Sequence, residues 1–194
     1  MRSTRMLAVL VAFASVLAGG FLAAEPAAAS APPASDNGKN LYSAAFLLVN
    51  GYSNNCVDVA GKSRRSGARI QEWGCGGSGD PQQQWLAEPI AAAPGYVALR
   101  NINSNRCMDL RVGSDDDVGN GTLIQQWDCV PDAYHSERWQ IVPSSTYPGW
   151  SMLVTWVKGL CLQFDGARTG NGTAALVSDC DGGDPNQVWF QRTV

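Results

Sequence analysis

Two acid–indole pairs stand out in this chain: Asp58 with Trp73, and Asp109 with Trp127. In each pair the acid lies two residues after one cysteine and the tryptophan two residues before the next, within Cys56…Cys75 and Cys107…Cys129. An ionised carboxylate accepts two hydrogen bonds, and charged acceptors hold donors more strongly than neutral ones. It therefore suits a pair of vicinal hydroxyls, while a flat indole covers the apolar C–H face of a pyranose. One stacking surface with a few fixed polar groups is a small-ligand site for a neutral sugar. A third cysteine pair, Cys161…Cys180, has Gln163 and Ser178 at the two positions. Acid and ring vanish together there, which marks a shared task, since unrelated structural roles need not disappear jointly.

These comparisons are possible because the chain repeats. Each cysteine pair is followed about ten residues on by a further tryptophan: Trp85, Trp139 and Trp189. The second cysteines stand 54 and 51 residues apart, a period at which each unit must pack on its neighbours to bury its apolar face. Unlike Trp73 and Trp127, these three tryptophans occur in every unit. They read as core, large rings filling the middle of a pseudo-threefold assembly. Six cysteines suggest a disulfide framework. Separations of 19, 22 and 19 residues make Cys56–Cys75, Cys107–Cys129 and Cys161–Cys180 the symmetric pairing, each bridge contributing about 3 kcal/mol in the chain-entropy model. Zinc is disfavoured, because there is no C-x-x-C pair and His135 is the only histidine. No metal and no cofactor is expected.

The elements that position these residues are short strands. Runs such as Phe46-Leu47-Leu48-Val49, Tyr96-Val97-Ala98-Leu99, Trp139-Gln140-Ile141-Val142 and Met152 to Val157 alternate with turn signals. Asn120-Gly121 and Asn171-Gly172 predict tight hairpins. No window shows a long helical period. The repeats span residues 42–90, 96–142 and 150–194, separated by Ala92-Ala93-Pro94-Gly95 and by Ser144 to Gly149. With about four strands per unit, the expectation is an all-β, closed assembly of about twelve strands, which leaves few open edges.

Residues 1–29 are expected to be a secretory signal peptide. A cationic start, Met1-Arg2-Ser3-Thr4-Arg5, precedes an apolar run from Met6 to Leu22 and the small-residue exit Ala27-Ala28-Ala29. Residues 30–41, rich in Pro, Ser, Ala and Gly, form a flexible linker. The expected product is extracellular, one domain of about 165 residues. Without the first 29 residues, 12 basic face 16 acidic residues, a formal net charge of −4. That argues against nucleic acid, whose binding needs clustered cations, and against anionic membranes. A monomer that touches no membrane after signal cleavage is the expectation.

Cys56-Val57-Asp58-Val59, then Gln71-Glu72-Trp73-Gly74-Cys75, then Gln83-Gln84-Trp85 resembles the ricin-type β-trefoil lectin family, marked by its Q-x-W motif. Repeat two carries Cys107-Met108-Asp109-Leu110, Gln125-Gln126-Trp127-Asp128-Cys129 and Glu137-Arg138-Trp139. Repeat three carries Cys161-Leu162-Gln163-Phe164, Asp179-Cys180 and Gln187-Val188-Trp189. The likeness covers the whole chain after the linker. It implies a β-trefoil of three pseudo-symmetric repeats and a lectin that takes galactose-type sugars or xylan. It also implies that the Q-x-W tryptophans Trp85, Trp139 and Trp189 lie in the core. In the family an Asn before the Q-x-W glutamine completes the site with that Gln. Here Gln82-Gln83 holds the place in repeat one, and Asn186-Gln187 in repeat three. Repeat two has Ser136-Glu137, which turns a donor into an acceptor. The candidate carbohydrate-binding residues are Asp58, Trp73, Gln82, Gln83, Asp109 and Trp127, with repeat one best formed and repeat three structural.

Other motifs carry less. Gly74 to Gly79 fits G-x-G-x-x-G but surrounds a cystine and opens no helix, so nucleotide is not expected. Asp115-Asp116-Asp117 lacks the spacing of a calcium loop and reads as a solvated turn. Asn120-Gly121-Thr122 and Asn171-Gly172-Thr173 fit the glycosylation sequon but match each other across repeats, as turns would. An enzyme is not expected: His135 has no counterpart in the other units, no nucleophile pairs with it, and Asp58 and Asp109 belong to separate sites. The alternative function is a trefoil scaffold that binds protein, as an inhibitor or assembly factor, without sugar.

Overall fold

The computed structural model describes residues 44–166 and 169–194. The segments expected to be a signal peptide, 1–29, and a linker, 30–41, lie wholly outside the described residues. Twelve strands follow one another, four per repeat. Repeat one has β1 (Phe46–Asn50), β2 (Cys56–Val59), β3 (Ile70–Trp73) and β4 (Gln84–Pro89). Repeat two has β5 (Val97–Asn101), β6 (Cys107–Leu110), β7 (Thr122–Trp127) and β8 (Trp139–Pro143). Repeat three has β9 (Ser151–Thr155), β10 (Cys161–Phe164), β11 (Ala175–Ser178) and β12 (Trp189–Thr193). Among the described residues the only helical pieces are single 3-10 turns.

The ladders close on themselves. β1 pairs β4, β4 pairs β5, β5 pairs β8, β8 pairs β9, β9 pairs β12, and β12 returns to β1, all antiparallel. This six-stranded barrel has no free edge. The hairpins β2–β3, β6–β7 and β10–β11 branch from β1, β5 and β9 and cap one end. The arrangement is a β-trefoil with three repeats of four strands.

One apolar core runs through barrel and cap, built from the inward residues of each repeat, such as Leu48, Leu99 and Leu153 or Val59, Leu110 and Phe164. At its centre Trp85, Trp139 and Trp189 are fully buried. Each indole N–H donates to a main-chain carbonyl one residue after its repeat's first cysteine: Val57 at 3.2 Å, Met108 at 3.0 Å and Leu162 at 3.2 Å. A buried ring with its one polar atom satisfied meets the requirement for an interior tryptophan. The three disulfides join the expected partners, with Cα–Cα distances of 5.0, 4.8 and 5.0 Å.

Two local expectations change. The strand anticipated from Met152 to Val157 ends at Thr155, because the Thr155 hydroxyl donates to Val157 O at 2.7 Å and closes a turn. Trp156 leaves the sheet, and its N–H donates to Arg138 O. Asn120-Gly121 and Asn171-Gly172 are turns with positive φ at glycine, +87° and +94°, but neither is a two-residue hairpin. Each ends a longer loop and reaches the next repeat: Asn120 Oδ1 accepts from Asp179 N, and Asn171 Oδ1 from Gly74 N, both at 2.8 Å.

Candidate functional site

Register brings acid and ring together. In repeat one, Asp58 on β2 stands opposite Gln71 on β3, and Cys56 opposite Trp73. Residues two apart on a strand share a face, so Gln71 and Trp73 project on the same side while Ile70 enters the core. Repeat two repeats the register: Asp109 faces Gln125, and Cys107 faces Trp127. In repeat three Gln163 faces Leu176, and Cys161 faces Ser178. At these two positions that unit has neither carboxylate nor ring.

Asp58 is buried, and both its oxygens are held. Gln71 Nε2 donates to Oδ1 at 3.1 Å, and Gln83 Nε2 to Oδ2 at 3.2 Å. Burial pushes its pKa above the usual carboxylate value, against the pull of the Gln71, Gln83 and Gln82 amides. Gln83 also ties the cystine loop down: Nε2 donates to Gly74 O at 3.0 Å, and Oε1 accepts from Gly76 N at 2.8 Å. Gln82 donates to Asp80 Oδ1 at 3.0 Å, and Lys62 reaches the same oxygen at 2.9 Å. These two contacts hold Asp80 below the ordinary carboxylate value. Gln82 Oε1 is buried with no partner among the described residues, an open acceptor at the floor of the site.

Trp73 closes the arrangement. It is 43% exposed and walls a cleft of about 290 Å³ together with Asp58, Gln71, Asp80 and Gln82. The repeat-two cleft is larger, about 450 Å³, and is walled by Trp127, 39% exposed, with Asp109, Gln125, Tyr134 and His135. Gln125 Nε2 donates to Asp109 Oδ2 at 2.7 Å, and burial raises the Asp109 pKa. Gly67, with φ +80°, brings repeat one's loop against the Trp127 ring. Asp58, Trp73 and Gln82 therefore line one cleft, with Gln83 buried behind it on Asp58, and Asp109 and Trp127 line another. In repeat three, Gln187 Nε2 donates to Gln163 Oε1 at 2.7 Å, so two amides stand where repeat one has Gln83 on Asp58.

Several contributors escape the sequence pattern. Gln71 and Gln125 hold the acids; their place two residues before each tryptophan is the one signal for them. His135 Nδ1 lies 2.8 Å from Asp115 Oδ2 on the rim of the repeat-two cleft, a contact across 20 residues that no spacing announces. Cys107, Cys129 and Glu137 gather closely enough to suggest a metal group, but both sulfurs are in a disulfide and offer no thiolate ligand.

Comparison with known proteins supports the architecture and the family. The designed threefold-symmetric protein ThreeFoil is similar at a TM-score of 0.68 and 23% identity, over 77% of this chain and 99% of that one. An exo-β-1,3-galactanase from Clostridium thermocellum matches at 0.68 and 22%, over 78% of this chain but only 30% of the enzyme. A ricin B-like lectin from Macrolepiota procera, solved in complex with lactose, matches at 0.60 and 16%, over 76% and 94% of the two chains. No curated protein matches by sequence. The family model described as ricin-type beta-trefoil lectin domain matches residues 44–189. With its threefold barrel and the two acid–indole clefts, this chain belongs to the ricin-type β-trefoil lectin family.

Proposed function

We propose that the protein is a secreted, monomeric carbohydrate-binding module that takes neutral sugars, of galactose or xylan type, in the clefts of repeats one and two. It acts by binding and not by catalysis. The observation that carries this reading is Trp73, an exposed indole on the same strand face as Gln71, whose amide holds Asp58. A ring left in water next to a buried, hydrogen-bonded carboxylate has no structural use that a smaller residue would not serve, as Ser178 does in repeat three. The lactose complex of the Macrolepiota procera lectin supports the sugar class. The galactanase likeness, confined to a minor part of that chain, fits a trefoil that serves binding.

In this reading the sugar's C–H face rests on Trp73, and two hydroxyls meet the outward side of the Asp58 carboxylate and Gln82 Oε1. Open clefts of this kind bind weakly, near millimolar or about −4 kcal/mol. Two of them on one polysaccharide gain through effective concentration. Retention on lactose-agarose and insoluble xylan tests the reading: wild type is retained, and Trp73→Ala and Asp58→Ala lose most of the repeat-one contribution while remaining folded. Unchanged retention in both variants overturns the assignment. Release of reducing sugar from xylan or of galactose from lactose would overturn the binder-only reading.

A further inference from the structure

In repeats one and three a glutamine ties the loop around the second cysteine to the strand that follows the first cysteine. Gln83 accepts from Gly76 N and donates its amide to Asp58 and to Gly74 O. Gln187 accepts from Asp181 N at 2.8 Å and donates to Gln163 and, at 2.9 Å, to Asp179 O. Glu137, at the same place in repeat two, keeps the first bond, with Oε2 accepting from Val130 N at 2.8 Å. Its other oxygen, Oε1, is fully buried with no partner among the described residues. That oxygen stands where the other repeats have an amide N–H. The Asp109 carboxylate is close enough to act on it electrostatically, and the counterpart of the carbonyls that Gln83 and Gln187 reach is that of Asp128, so by analogy acceptors meet an acceptor. A buried carboxylate left this way bears the full desolvation penalty.

We propose that Glu137 is a positioning residue for the repeat-two cleft: its protonated carboxyl donates an O–H where the other repeats donate an amide N–H, and so holds Asp109 toward the sugar. Deprotonation replaces that bond with repulsion between two buried carboxylates, which works against the Gln125 and Ser136 bonds that hold Asp109 beside Trp127. This rests on the sugar-binding reading given above and adds to it that the two clefts answer differently to pH.

The surroundings favour the neutral form. Burial and the Asp109 charge raise the Glu137 pKa to about 7, offset by the Val130 N–H and by Arg100. Arg100, on β5, is already paired with Glu88 at 2.8 Å. The remaining charged groups near this turn are engaged elsewhere: Asp128 with Arg106, His135 with Asp115, and Arg138 with the carbonyls of Pro131 and Asp132. None of them supplies Oε1 with a donor.

The test is made on the whole chain carrying Trp73→Ala, so that repeat two alone holds the matrix. Its retention on lactose-agarose and insoluble xylan is read from about pH 5.5 to 8.5, with and without Glu137→Gln. A carbon-13 titration of the glutamate carboxyls follows Glu137 without any sugar. The expected result is a signal that titrates near neutrality and is absent from Glu137→Gln. Retention should fall roughly thirtyfold over the same range, as the protonated fraction does for a pKa near 7. Glu137→Gln should bind equally across the range. Retention that stays flat in the parent, fails at every pH, or is lost in Glu137→Gln overturns the proposal. If the Trp73-intact chain still binds, the lectin reading survives that failure; if no form binds, both fall.

Discussion

The Asn101 side chain on β5 donates to the carbonyl of Gln82 at 2.9 Å, so a residue of repeat two fixes the turn that carries repeat one's amides. Its Oδ1 accepts from the N–H groups of Asn103 and Ser104, which are half-buried. Asn50 does the same for repeat three, donating to Asn186 O at 2.8 Å. Thr155 stands in that position for repeat two and spends its hydroxyl on Val157 O. Asn101→Ala would strand the Gln82 carbonyl and two N–H groups, at about 1–3 kcal/mol for an unsatisfied buried group. Urea unfolding should show a loss of about 2–3 kcal/mol. In a Trp127→Ala background, retention through repeat one should weaken as well.

The two kinds of tryptophan should separate in stability. Trp73→Ala and Trp127→Ala remove exposed rings and are expected to shift unfolding by about 0.5 kcal/mol or less. Trp85→Ala empties a fully buried position whose N–H is bonded to Val57 O, which costs about 3–5 kcal/mol. Denaturation midpoints measured alongside sugar retention would show binding lost without stability in the first case, and both lost in the second.

Glu137 should also appear in the pH dependence of folding. The native carboxyl keeps its proton to about 7, while the reference value is 4.5. Between these values the folded chain binds more protons than the unfolded one, so stability falls as pH rises through that window. One pKa unit is about 1.4 kcal/mol, which sets a ceiling of about 3 kcal/mol above neutrality. Glu137→Gln should therefore raise the melting temperature at pH 8 by about 5 °C and leave it nearly unchanged at pH 4. A rise of equal size at both pH values would mean that the carboxyl is not the cause.

The clefts should differ at the alkaline end: burial raises the pKa of both Asp58 and Asp109, so both should weaken when those acids are protonated, and repeat two alone should also weaken as pH rises. Asp58 binds as a carboxylate, and burial lifts its pKa above 3.8. A Trp127→Ala chain, left with repeat one, should lose retention on acidification through that raised pKa. A Trp73→Ala chain should lose it in acid through Asp109 and again on the alkaline side through Glu137. Parallel pH profiles for the two single-cleft chains would refute this pairing of roles.

Much of the fold and of the candidate site is legible in the order of residues alone. The cysteine spacing points to the three disulfides. The presence of Trp85, Trp139 and Trp189 in all repeats, against Ser178 at the third Trp73 position, separates core rings from exposed ones. The closed barrel follows from four short strands taken three times. Contacts between repeats are not legible in this way. Asn101 holds Gln82 across 19 residues, and Asn171 accepts from Gly74 N across 97, and neither pairing leaves a period in the sequence. Glu137 is recognisable as an acceptor in a donor's place, but its stranded oxygen depends on burial, which a single chain of letters does not display. Trp156 reads as strand because its neighbours are β-formers; the Thr155 hydroxyl decides otherwise.

The disulfides should add stability one repeat at a time. Replacing Cys107 and Cys129 together with Ser is expected to remove about 3 kcal/mol by freeing a loop of about twenty residues. It would also loosen the strand end beside Asp109. Urea unfolding and repeat-two retention should both record it, while repeat one's retention holds.

Because β1 lies against β12 over five residue pairs, from Phe46↔Thr193 to Asn50↔Trp189, the outermost strands of the trefoil are neighbours within the wall. A circularly permuted gene, opened between repeats and joined by a short peptide across the old ends, would therefore preserve every ladder. It would let an engineer choose which lobe is synthesised first.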